Sequence, residues 1–259
     1  MTNTNEKNII RLSESDLDSP IFRIYPLERF EPMLASNQDA LVNPTKWEDP
    51  FENFFLERTE VADSVSGSTI PLKNLAQDWY GQCWSFNQDT DAMWRIYSPD
   101  PKAKVGVKVA TTIRRLFQNL KLVNSTAPYL QFFIGRITCL TEHQITSLMQ
   151  ALTFSDIAIG GQGDKFADLL CIKREAFQHE NEVRLIFQDL NISGSKRGAN
   201  GVFKYQLEPN VVFDEVILDP RLKVPDALAI EKKLKTAGCT LHIAQSPLYQ
   251  TPKFVIPFQ

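Results

Sequence analysis

His179-Glu180-Asn181-Glu182-Val183-Arg184-Leu185-Ile186-Phe187 is the run of this chain whose residue types and spacing could do chemistry. Read as a strand, it puts Glu180, Glu182 and Arg184 on one face and Val183, Leu185 and Phe187 on the other. Two carboxylates side by side repel unless they are paired or used. Pairing would make the row a cross-strand ion network, worth little per exposed pair. Use would make it a site where a sugar cation develops, because negative charge and hydroxyl contacts stabilise an oxocarbenium-like centre.

Other segments offer groups that complement such a site. Arg23 and Tyr25 share a face of Ile21-Phe22-Arg23-Ile24-Tyr25, and an arginine's planar fork of donors suits a diphosphate. Ser85 lies between the core-type residues Trp84 and Phe86, where a hydroxyl can orient a carboxylate or an amide. Trp94 and Tyr97 supply aromatic surface on which a flat heterocycle stacks. Each has a structural alternative: Arg23 as an ion-pair partner, Ser85 as a strand hydroxyl, Trp94 as core.

Other chemistries lack their residues. Gly160-Gly161-Gln162-Gly163-Asp164-Lys165 has neither P-loop nor G-x-G-x-x-G spacing, and no G-x-S-x-G elbow occurs. His143, His179 and His242 share no ligand spacing, and Cys83, Cys139, Cys171 and Cys239 form no C-x-x-C pair, so no metal site is expected. A metal nuclease built on Asp49, Glu52, Glu180 and Glu182 would lack its lysine and a basic surface. The net charge of −3 gives no global field that draws nucleic acid or an anionic membrane. No run approaches the roughly 18 apolar residues of a membrane span, and the polar start has no signal-peptide core, so a cytoplasmic protein is expected.

The elements that must position these groups follow from periodicity. Residues 1–20 read as a flexible arm and 21–259 as a single domain of the α+β class, without repeats. Strands are expected at 21–25, 40–42, 79–87, 104–110, 129–140 (broken at Gly135), 181–187, 211–218 and 239–244. Helices are expected after Pro32, after the Asp89-Thr90-Asp91 cap, over 111–120, from the Thr141-x-x-Gln144 capping box to about 152, and from Pro225 to a Gly238 cap. The stretches 61–69, 159–164 and 193–201 read as flexible loops or turns.

An ordered series of motifs resembles the uncharacterised bacterial family catalogued as domain of unknown function 2971. The series is IFRIY at 21–25, EDPFE at 48–52, CWSF and AMWRIY within 83–97, KVGVKV at 104–109, ENEVRLIF at 180–187, FDEVILDP at 213–220 and HIAQSPLY at 242–249. The chain departs from that family's pattern at Glu48, where Asn is usual, and at Asp219, where glycine is common.

The motif layout is also similar to that of ADP-ribosyltransferases: an early strand with Arg or His, a middle strand with Ser and a late strand with Glu-x-Glu. That resemblance implies two packed, mostly antiparallel sheets with peripheral helices, and NAD as co-substrate. It implies that Glu182 stabilises a ribosyl cation, Glu180 activates an acceptor, Arg23 and Tyr25 line the cofactor site, Ser85 holds Glu182, and Trp94 or Tyr97 stacks on nicotinamide. The alternative is a non-catalytic ligand- or partner-binding module, in bacterial stress or phage defence. The acceptor and the oligomeric state are not written in the sequence.

Overall fold

The computed structural model describes residues 8–47, 60–62, 66–71, 76–124, 130–153, 163–190 and 198–257. The strands are β1 (Ile9–Ile10), β2 (Pro20–Pro26), β3 (Gln38–Val42), β4 (Glu60–Ala62), β5 (Thr69–Pro71), β6 (Trp79–Ser85) and β7 (Gly106–Thr112). They continue as β8 (Leu130–Arg136), β9 (Thr138–Leu140), β10 (Ile172–Arg174), β11 (Glu182–Asp189), β12 (Val202–Gln206), β13 (Glu215–Leu218) and β14 (His242–Gln245). The helices are α1 (Glu14–Leu17), α2 (Leu27–Ser36), α3 (Asp91–Tyr97), α4 (Ile113–Asn124), α5 (Glu142–Ala151), α6 (Asp164–Leu169), α7 (Pro209–Val212) and α8 (Val224–Thr236).

The main sheet runs β1-β8-β11-β6-β2-β7-β13-β14, with β3 and β12 attached beside β6. It is mixed, since β1–β8 and β13–β14 are parallel and the remaining pairs antiparallel. The expectation of two packed, mostly antiparallel sheets is matched only in part, because pairing joins these strands into one sheet. Its halves, β1-β8-β11-β6 and β2-β7-β13-β14, meet through the single pair Phe22↔Ser85. The reason lies in β6, whose edge is shared: Ser85 pairs with β2, while Gly81 pairs with Val42 of β3. Between those two pairs no strand among the described residues pairs with that edge of β6, and the Arg23 side chain bonds the Cys83 carbonyl there.

One face carries the larger core, in which Ile21, Tyr25, Trp84, Val109, Val183 and Leu185 pack together with Phe30 and Phe213. In α4, Ile113, Leu116, Phe117 and Leu120 recur at helical spacing and close this core. The other face carries a smaller core of Trp79, Phe133, Phe166, Leu169, Cys171 and Ile186. Gly135 does not break its strand. It stays in β8 because a Cβ there would lie 2.5 Å from Cys171 Sγ, too close for any side chain.

Several boundaries differ from expectation for local reasons. The N-terminal arm is built into the fold from residue 8 onward: Ile9 and Ile10 pair with β8, a Ser13–Asp16 capping box opens α1, and Leu17 is buried. Helix α2 begins at Leu27 and carries Pro32 inside it. The apolar run 211–218 divides into α7, opened by Pro209, and β13, because periodicity alone cannot separate a buried turn from a strand. Part of 61–69 pairs as the β4–β5 hairpin. Residues 48–52, with Asp49 and Glu52, and glycines 160 and 161 lie outside the described residues. No helix among the described residues is long and apolar enough to cross a membrane.

Candidate active site

The acidic run is bent where the sequence suggests a straight strand. Glu180 ends a 3-10 turn over Glu175–Glu180, Asn181 takes a left-handed conformation at φ 45°, and β11 begins only at Glu182. Asparagine tolerates that conformation better than other non-glycine residues. The two carboxylates therefore do not project in register from one strand. A lysine brings them together: Lys173 Nζ of β10 donates to Glu180 Oε2 at 2.7 Å and to Glu182 Oε2 at 3.1 Å.

Glu182 is 5% exposed and accepts on its other oxygen from Arg184 Nε at 2.9 Å and Nη2 at 2.7 Å. The Cys83 thiol adds a further bond to the same carboxylate. Burial raises the Glu182 carboxyl, but the Arg184 and Lys173 charges outweigh it and hold it below the usual carboxylate range. Arg184 is itself anchored, donating to the Leu170 carbonyl and lying 4.1 Å from the centre of the Trp47 ring. Gly81 makes room for that indole, since a Cβ there would sit 2.6 Å from Trp47 Cζ2.

Strand pairing aligns the other groups with this cluster. Phe22, Ser85 and Glu182 form one cross-strand row over β2, β6 and β11. Ser85 Oγ donates to the Glu180 carbonyl at 2.6 Å and accepts from Asn87 N at 3.0 Å. It thus fixes the backbone of the glutamate turn, and does not bond the Glu182 carboxylate as expected. Arg23 lies one residue out of the row, at the point where β2 and β6 part. Its Nη1 donates to the Cys83 carbonyl on the unshared edge of β6, and its buried Nε has no hydrogen-bond partner among the described residues. Tyr97, at the end of α3, is 39% exposed. Burial of its hydroxyl, with the charges of Glu180 and Glu182 beside it, raises its pKa above the ordinary tyrosine value.

Two of the expected ligand contacts are spent on packing. Tyr25 is 4% exposed; its hydroxyl donates to Asp39 Oδ2 at 2.8 Å and its ring lies against Phe30, Trp84 and Phe213. Trp94 is 1% exposed, its indole donates to Asp89 Oδ1 at 2.6 Å, and the Lys108 ammonium stands 5.4 Å from its ring centre. Neither ring has an open face for a heterocycle, because both are held by partners on adjoining elements. The pocket beside Trp94, bounded also by Arg23, Ser85, Asn87, Thr90 and Lys108, has a volume of about 20 Å³. That is room for one water, not a dinucleotide.

Lys173 and the thiols of Cys83 and Cys139 were not visible as site residues. Cys139 lies opposite Lys173 in the β9–β10 pair, and burial together with the nearby glutamates raises its thiol pKa. A lone lysine in a three-residue strand has no spacing signal. The useful hint was chemical: two buried acids on one short run require cations, and Lys173 is the lysine nearest before them. Among the described residues no group of three or more His, Cys, Asp or Glu side chains is placed to hold a metal ion.

No family model matches the chain, the family suggested by the ordered motifs included, and no curated protein matches it. Among solved structures, the chain overlays a Thermus sp. 2.9 DarT in complex with ADP-ribosylated ssDNA at 12% identity and a TM-score of 0.38, covering 88% of this chain and 94% of that one. A complex of the same protein with carba-NAD+ gives 13% identity and a TM-score of 0.36, over 91% and 97% of the two chains. Its NAD+ complex gives 13% and 0.35, over 88% and 96%.

Proposed function

We propose that this protein is an ADP-ribosyltransferase-like enzyme that cleaves the nicotinamide–ribose bond of NAD. The observation that carries the reading is the row Phe22–Ser85–Glu182 on adjacent strands, with the Arg23 guanidinium at the parting beside it. In the proposed step the bond from C1′ to the pyridinium nitrogen breaks, and nicotinamide leaves with the electron pair. The oxocarbenium at C1′ is then captured by an acceptor nucleophile, water included, whose proton passes to Glu180. Glu182 contributes a fixed negative charge, Ser85 holds the turn that carries Glu180, Arg23 meets the diphosphate, and Tyr97 covers the nicotinamide. On this reading NAD binding requires α3 to move away from β2, because the cavity beside Trp94 holds about one water.

A second reading, a non-catalytic module, is favoured by one specific feature. Glu182 accepts from Lys173, twice from Arg184 and from Cys83, which matches the roughly four lone-pair positions of a carboxylate. With Glu180 the cluster holds, among the described residues, two acids and two cations. Incubation of the purified protein with NAD, with and without cell extract, separates the readings. Release of nicotinamide that disappears in Glu180→Gln and Glu182→Gln supports catalysis. No release, together with no rise in Tm at saturating NAD, favours the module, since a ligand at 100 times its Kd adds about 2.7 kcal/mol.

A further inference from the structure

We infer that Lys173 is a positioning residue, whose ammonium fixes the separation of the Glu180 and Glu182 carboxylates and offsets the repulsion between them. The kinetic consequence rests on the NAD reading; the bridge itself stands on geometry. Lys173 is 8% exposed, and its ammonium lies between the two carboxylates at 2.7 and 3.1 Å. It comes from β10, which pairs with β9 in a two-stranded sheet and not with the strand that bears Glu182. The cation is therefore delivered by a separate piece of backbone, and the Phe177 ring covers it with its centre 4.7 Å from Nζ.

The groups that face this bridge come from five elements: Glu180 from the 3-10 turn, Glu182 and Arg184 from β11, Cys83 from β6, Cys139 from β9 and Tyr97 from α3. Of these Arg184 is the other cation, and it bonds Glu182 on the oxygen that Lys173 does not use. Among the described residues, removing the ammonium leaves two neighbouring carboxylates against one guanidinium. One acid then ionises at the expense of the other, and the pair titrates as a coupled unit.

Lys173→Met and Lys173→Arg in the full chain test this. Methionine should lower kcat for nicotinamide release about tenfold or more at pH 7, leave the KM for NAD unchanged, and move the acid limb of the pH profile upward. Arginine should restore the limb. The second readout needs no activity: the Tm deficit of Lys173→Met should be largest at neutral pH and shrink as pH falls through the carboxylate range, because protonated acids no longer need the cation. A deficit that is constant with pH overturns the bridge. An active wild type whose kcat is indifferent to Lys173→Met overturns the positioning role. An inactive wild type with the pH-dependent deficit intact overturns the NAD reading alone. If Lys173→Met does not fold, Lys173→Met/Glu180→Gln removes one charge of each sign and should fold; failure of that double variant too overturns the bridge.

Discussion

Two buried polar networks flank β6, and they are satisfied in different ways. On the side of the larger core, the Asp39 carboxyl is surrounded by neutral donors. Tyr25 hydroxyl lies at 2.8 Å, Gln82 Nε2 at 2.7 Å, Tyr205 hydroxyl at 3.3 Å and Ala40 N at 2.7 Å. On the other side, Glu180 and Glu182 are held by the cations Lys173 and Arg184. The first network sits deep between β2, β3, β6 and β12, where it replaces the ladder missing along β6. The second sits where β11 begins, next to the parting of the sheet. A single carboxyl in a core is satisfied by dipoles, whereas two adjacent acids require cations, and that need is what separates the second region from the first.

The comparison breaks first at Arg184. Arg184→Met leaves Glu182 buried with Lys173 as its one cation among the described residues, and should cost about 3–5 kcal/mol in urea unfolding. A cost below 1 kcal/mol would show that the cluster is solvated and the contrast with the Asp39 network empty. Asp39→Ala should cost less, about 1–3 kcal/mol, because its neutral donors lose an acceptor and the nearby Arg23 guanidinium loses a charge that it does not hydrogen-bond. Equal costs for the two variants would erase the distinction.

The smallest effect is confined to acid. The folded-state pKa of Glu182 is lowered, so its contribution to stability is fully present above the ordinary carboxylate value of 4.5 and is lost as pH falls through the lowered one. Unfolding free energy of the wild type should therefore drop below about pH 4.5, and Glu182→Gln should flatten that drop. An unchanged acid slope in Glu182→Gln would remove Glu182 from the linkage.

Much of the scaffold was legible. The Asp89-Thr90-Asp91 signal marks α3, whose cap is Thr90, and Thr141 with Gln144 forms the capping box of α5. Pro225 stands in the first turn of α8, one residue after its start at Val224, Gly238 follows the helix at φ +98°, and Lys235 meets Glu231 at 2.5 Å across one turn. Such signals are local: each needs only residues within a turn of one another. Of the candidate site, Glu182 with Arg184 was readable as a pair on one strand face, and the lining strands were readable as strands. The isolated bridge between β2 and β6, the break at Asn181 and the approach of Lys173 were not, because each depends on a partner far along the chain.

The residue order alone determined that two acids would stand beside a guanidinium on a strand whose alternate residues are apolar, for alternation is a property of the extended backbone. Tertiary structure decided the rest. It turned Glu180 off the strand, placed Lys173 between the carboxylates and consumed Tyr25 and Trp94 in packing. It also set Arg23 where two strands separate. Burial and charge compensation are long-range quantities: a carboxylate's environment is made by the elements that fold over it, and the chain near it carries only part of that information.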